Sequence, residues 1–330
     1  MTRCAIPKIL LVYFAVAVII FLNGHFFRAE NESITSIPVF LSVLLIIPIY
    51  VWCKNSCKKT EVSKETNGRD KNTVLSWIFT LFILALSIRI PSVLLFGMPY
   101  EKTPLIYLVI LTVLIIEEAD VSAFGFKTRN IWKSLLFGFL FFVILDGLAS
   151  LSFYLLIHVF TSQIPVQSYN VLPFILTMPF MTLCVGISEE GLFRGYMQTH
   201  LEKLYTSKQA ILIQAILFGI WHFVWGLNPF DPVYMLSYAG FTFLVGLLFG
   251  YLYSKTRNLA PLVFAHGLFD SVPAGIVENQ SAFDVFQTFS LSFQGLTWIL
   301  PYIVSAVLTL LFHKISSEGN LTSRFIRGVW

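Results

Sequence analysis

Apolar runs long enough to cross a bilayer recur along this chain from residue 8 to residue 312, and no other feature limits its fold so sharply. A hydrocarbon core of roughly 30 Å demands about 18 to 25 apolar residues from each spanning helix, because an α-helix rises about 1.5 Å per residue. Strands of a membrane barrel would instead alternate apolar and polar residues over about ten positions. These runs do not alternate. Of the 330 residues, 56% are apolar and 12% charged, with a mean hydropathy of +0.77. A soluble domain carries about a quarter of its residues charged. The sequence therefore predicts an all-α, polytopic membrane helical bundle.

Spans are predicted near 8–27, 34–53, 74–97, 103–117, 131–159, 171–204, 207–226, 233–254, 258–277 and 290–312. The fourth is short and open to a tilted, re-entrant or interfacial placement, so about eight to ten transmembrane helices are expected. Arg3 and Lys8 give the first segment the basic flank of a signal peptide. Its apolar run ends in Asn23-Gly24-His25 without a small-x-small cleavage signal, and a retained helix is expected. Lys and Arg accumulate on cytoplasmic loops. With both termini cytoplasmic, ten helices place all 22 basic residues on that side except Arg28 and Lys102, outside, and Arg89 and Arg194, within spans. The net charge of +4 is thus a topology signal in a cell-membrane protein and no sign of nucleic-acid binding.

The polar, basic stretch 54–73 reads as a cytoplasmic linker between an amino-terminal helical pair, 1–53, and the remainder. Beyond it, 74–170 supply accessory helices, 171–277 hold most of the intramembrane polar residues, and 278–330 form a last helix with a cytoplasmic tail. Glu117 to Asp120 and the following basic residues read as a solvated connection, with Trp132 and Lys133 anchoring the next helix at the interface. Arg89 and Asp146 fall at similar depth within spans and are expected to pair, since a lone charge there costs about 3 kcal/mol or more. Cys4, Cys53, Cys57 and Cys184 form neither a CxxC motif nor a disulfide-dense pattern.

Three polar pairs spaced four residues apart carry the chemistry. In "EEGLFR", Glu190 and Arg194 stack on one helix face and form an ion pair, leaving Glu189, 100° around the helix, clear of that partner. A desolvated carboxylate suits a general base. In "FGIWH", Phe218 packs beside His222 and orients its ring. In "HGLFD", Asp270 is placed to orient or charge His266, by the logic that steadies metal-bound and catalytic histidines. With a helix running from 171 to a turn near Thr206, Glu189 and His222 lie at nearly equal heights, roughly 25 Å from the hairpin tip. A site within the membrane that opens toward the cytoplasm is expected.

EEGLFR fits EExxxR, FGIWH fits FxxxH and HGLFD fits HxxxD/N, and in this order they resemble the CAAX protease and bacteriocin-processing family over about 171–277. The family comprises intramembrane endopeptidases that resemble the prenyl-protein protease. The resemblance implies that Glu189 and His222 activate a water, that His266 and Asp270 line the site and steady the tetrahedral oxyanion, and that Glu190, Arg194 and Phe218 support them. Prenyl-protein proteases typically carry Asn where this chain has Asp270, and an ionised Asp donates no hydrogen bond to an oxyanion. Orientation of His266, or a protonated Asp270, then replaces that role. The resemblance leaves the cofactor open: glutamate-activated water suffices, or Glu189, His222 and His266 hold a divalent metal such as zinc with one open position.

Other intramembrane proteases need signatures such as GxSxG or HExxH, and neither occurs here. An aspartyl dyad of Asp146 and Asp270 lacks the GxGD motif, because "GLFD" has no second glycine. A membrane transporter, or a non-catalytic scaffold or immunity protein, is the alternative from another class. Against transport, the polar groups gather in one carboxyl-terminal region instead of two repeated halves. Implied partners are the lipid bilayer and a hydrophobic or lipidated peptide or protein substrate, whose identity nothing in the sequence reads out.

Overall fold

In a computed structural model of the chain, the described residues are 2–26, 44–56, 71–97, 100–161 and 168–277, with residues 303 and 307. Nine helical stretches are followed here: α1 (Thr2–Phe26), α2 (Ile46–Ser56), α3 (Lys71–Phe96), α4 (Lys102–Leu111, extended by a π-helical turn Thr112–Ile116), α5 (Ile131–Thr161), α6 (Val171–Leu201), α7 (Ser207–Trp221), α8 (Pro232–Thr256) and α9 (Ala260–Gly275). Two-residue strands, β1 (Ser168–Tyr169) and β2 (Ile276–Val277), pair antiparallel with Ser168 opposite Val277. The protein is a polytopic helical membrane protein. Among the described residues, six helical segments are long and apolar enough to cross a membrane: Ala5–Leu22, Lys71–Phe96, Ile131–Ser152, Val171–Leu201, Ser207–Gly226 and Pro232–Thr256. The span expected at 290–312 lies almost wholly outside the described residues, as do the first half of that expected at 34–53 and most of the linker expected at 54–73. Those at 103–117 and 258–277 correspond to the shorter helices α4 and α9.

Leu95, Leu236 and Ile83 are 71%, 70% and 63% exposed within such spans. That is the pattern of a surface solvated by lipid chains.

The chain divides into two compact units, Met1–Lys127 with Leu183–Ala210, and Thr128–Thr182 with Ile211–Trp330. In the first, α4 packs against α1 and the later part of α6. Every residue from Thr103 to Val109 is buried. A helix apolar on all sides belongs in a core, and this resolves the short fourth segment as the centre of its unit. Tyr13 ties α1 to α3 by donating its hydroxyl to the Leu84 carbonyl at 2.8 Å. Phe82 meets Phe193 edge-on at 6.2 Å.

In the second unit, α9 packs on α5 and on the first part of α6. Lipid chains are as apolar as leucine, so helices in a bilayer associate through close van der Waals packing, which small residues permit. Gly138 of α5 would place a Cβ 2.4 Å from the Pro261 carbonyl oxygen, and Gly267 of α9 would place one 2.5 Å from Thr182 Cα. At both points backbone meets backbone, and no side chain fits. The buried Asn258 side chain donates to Ser134 Oγ at 3.0 Å and fixes the entry to α9 against α5. Asp231 accepts from the backbone N–H groups of Val233 and Tyr234 at 3.0 and 2.9 Å and caps α8.

Helix α6 departs from the regular α-helix expected over 171–204. It is π-helical at Met181–Gly186 and Gly191–Gln198, on either side of the α-helical turn Ile187–Glu190. Gly186, Gly191 and Gly195 lie in these stretches and weaken the preference for regular helix. Such π segments gather at functional sites. Because α9 touches α6 backbone to backbone, Gly267→Val is expected to lower the thermal unfolding temperature of the purified protein in detergent by several degrees, while the lipid-facing Leu236→Val leaves it unchanged.

Candidate active site

The α-helical turn Ile187–Glu190 places Ser188, Glu189 and Glu190 in the core of the first unit, each fully buried. As the spacing predicts, Arg194 Nη1 donates to Glu190 Oε1 at 3.0 Å, and both side chains are inaccessible to solvent. Burial alone disfavours both charges, and mutual attraction offsets that cost only when the geometry is close.

Glu189 was expected to stand clear of a cation. Instead Lys102, the first residue of α4, pairs through Nζ with Glu189 Oε1. The same Nζ lies 3.7 Å from Glu101 Oε1, and Glu101 pairs in turn with Arg89 of α3. Lys102 therefore does not sit on an exterior loop as its sequence position suggested. Its side chain is only 12% exposed. Arg89 was expected to pair with Asp146; the partner the structure gives it within its own unit is Glu101. Asp146 belongs to the second unit, where its charge adds to the upward push that burial gives the Tyr169 phenol.

The result is a buried cluster in which Arg89, Lys102 and Arg194 face Glu101, Glu189 and Glu190. Cations and carboxylates balance in number, which a low-dielectric setting requires. Glu117, expected on a solvated connection, belongs to the edge of this unit: it accepts from the Tyr196 hydroxyl at 3.1 Å and lies 3.9 Å from His200. Asp120 does sit in solvent, where the hydrogen bond from Ser122 holds its carboxyl below the usual range.

The second unit contains the two motif histidines. α7 ends at Trp221, so His222 starts a short 3-10 turn, Phe223–Gly226. Its Nδ1 lies 2.8 Å from the Phe218 carbonyl oxygen. A carbonyl only accepts, so in a neutral ring the hydrogen sits on Nδ1 and the basic lone pair on Nε2. The Phe218 ring contacts His222 edge-on at 4.6 Å and His266 edge-on at 6.3 Å, and so walls both imidazoles. Phe249 meets His266 edge-on at 6.1 Å, and His266 Nε2 lies 3.5 Å from Asp270 Oδ2. Asp270 is the more exposed of that pair, at 38% against 9% for the His266 side chain.

Glu189, Glu190 and Arg194 thus belong to the first unit, and Phe218, His222, His266 and Asp270 to the second. Among the described residues, no three His, Cys, Asp or Glu side chains converge as metal ligands within either unit.

Six long apolar helical segments, with buried ion pairs in one unit and aromatic-walled histidines in the other, define a multi-pass membrane protein that carries buried acid–base groups. Residues 171–272 match the sequence model of a family described as Rce1-like, type II CAAX prenyl endopeptidase. Through this segment, which contains all three motifs, the chain is similar to that family. No curated protein matches the chain significantly.

Sequence reasoning missed Lys102 and Glu101. Charge counting gave no signal for them, because Arg89 and Arg194 already balance Glu189 and Glu190 in number. Arg194→Met is expected to destabilise the protein by about 3 to 5 kcal/mol through an uncompensated Glu190, with Glu190→Leu added to Arg194→Met recovering most of the loss. Thermal unfolding in detergent measures both.

Proposed function

We propose that this protein is an intramembrane endopeptidase that hydrolyses peptide bonds of membrane-associated proteins or peptides, with Glu189 as general base. The observation that carries the reading is the family match over 171–272, which contains Glu189, His222, His266 and Asp270 together. The six apolar spans support access to the substrate from within the bilayer.

In the proposed reaction, the Glu189 carboxylate takes a proton from water as the water oxygen bonds to the scissile carbonyl carbon. The carbonyl π pair moves to oxygen and forms the tetrahedral oxyanion. His222, with Nδ1 held by the Phe218 carbonyl, presents Nε2 to the same water and shares in the proton transfer. The proton then passes to the amide nitrogen as the carbon–nitrogen bond breaks. His266 lies against the oxyanion, and Asp270 at 3.5 Å orients it and balances its charge when it is protonated. This use of Asp270 suits an acidic residue better than direct donation to the oxyanion. Glu190 and Arg194 hold the turn that presents Glu189.

The apolar surroundings fit a hydrophobic or lipidated peptide as substrate, with prenylated carboxyl termini as one member of that class. The access side is proposed to be cytoplasmic, from the distribution of Lys and Arg.

Purified protein in detergent is expected to cleave hydrophobic peptides, and Glu189→Ala and His222→Ala are each expected to reduce kcat by about a hundredfold or more. Equal cleavage by wild type and both variants would reject the assignment. The proposed steps use the chain's own side chains, so activity is expected to survive exhaustive chelation. Loss of activity that zinc restores would instead give Glu189, His222 and His266 a ligand role.

A further inference from the structure

Lys102 lies outside the segment 171–272 that matches the family model, yet its ammonium is a cation on Glu189. The neighbouring pair, Glu190 with Arg194, is local: both partners sit one turn apart on α6 and stay together wherever that helix goes. Glu189 receives its cation from a different helix, α4, which packs against the Ile187–Glu190 turn. Gly191, next to the acidic pair, would place a Cβ 3.0 Å from Phe126 and 3.7 Å from Val109 of α4, so that packing is tight.

The cation is also placed to change partners. Its Nζ lies 3.7 Å from Glu101 Oε1, and Arg89 on Glu101 anchors that second carboxylate. A cation on a long flexible stem can reach either of two neighbouring carboxylates. The Lys102 side chain also keeps some exposure, while Glu101 and Glu189 have none.

We propose that Lys102 is a positioning residue for Glu189, holding the resting carboxylate charged and in place and turning to Glu101 when Glu189 takes up the proton of the attacking water. This rests on Glu189 being the general base. Charge balances through the step. Arg89 and Lys102 offset Glu101 and Glu189 at rest; once Glu189 is neutral, the surplus positive charge is matched by the negative charge formed on the tetrahedral oxygen. No oxidant, metal or other reactant enters. The amino-terminal part of the chain thereby supplies a working part of the site as well as membrane anchorage.

The test uses the full chain in detergent with Lys102→Met and Lys102→Arg, and two readouts. The first is peptide cleavage: Lys102→Met is expected to lower kcat by about tenfold or more with KM within about twofold, and Lys102→Arg to keep kcat within about threefold of wild type. The second is modification of Glu189 by dicyclohexylcarbodiimide, which reacts with protonated carboxyls in apolar surroundings, located by mass spectrometry. A buried carboxylate stripped of its cation neutralises, so labelling is expected to rise severalfold in Lys102→Met and to stay at the wild-type level in Lys102→Arg. Unchanged kcat in Lys102→Met, unchanged labelling, or a Lys102→Arg variant as impaired as Lys102→Met each overturns the proposal. If Lys102→Met does not fold, the Lys102→Arg arm decides. Labelling reads the ion pair even if the wild type cleaves no peptide, so a failed endopeptidase reading is distinguishable from a failed role for Lys102.

Discussion

Charge neutrality within a buried, apolar setting is the constraint on which the first unit depends. Transfer of a carboxylate out of water is so costly that three buried glutamates are tolerable only with cations in contact. Glu101, Glu189 and Glu190 meet that condition through Arg89, Lys102 and Arg194. The network does more than stabilise, because it fixes where α3, α4 and α6 lie against one another in that unit. Loss of any one cation tips the balance of the cluster toward negative charge, which a buried setting penalises.

The second unit depends on a different kind of contact. There the helices approach through small residues, with Gly138 against Pro261 and Gly267 against Thr182, and the aromatic rings of Phe218 and Phe249 fill the space around the histidines. Gly267 stands next to His266, so the residue that sets the closest backbone approach also sets the position of that imidazole. His222 is aimed by the end of its helix: α7 stops at Trp221, and the Phe218 carbonyl, one turn earlier, receives the ring N–H.

Much of the site was legible because its pairs are local. Glu190 with Arg194, Phe218 with His222, and His266 with Asp270 are each four residues apart, and helical periodicity alone puts such residues on one face. The Glu101 partner of Arg89 was not legible for the opposite reason. Glu101 falls between two predicted spans in the sequence, and only tertiary packing within the unit brings it against Arg89. Glu117 was read as solvated because it sits in an acidic run, yet Tyr196 and His200, from a distant part of the chain, cover it. The π-helical stretches of α6 left no readable sign beyond their glycines.

The sequence by itself determined that the chain is a multi-pass helical membrane protein and which residues form the three motif pairs. These follow from hydropathy, helix rise and periodicity, all of them properties of neighbours in the chain. Only the tertiary structure decided that α4 is a core helix, that Glu189 shares its charge with Lys102, and that one phenylalanine walls two histidines. Those contacts join residues far apart in sequence, where any of several charged or apolar groups satisfies the same local rules and packing alone selects among them.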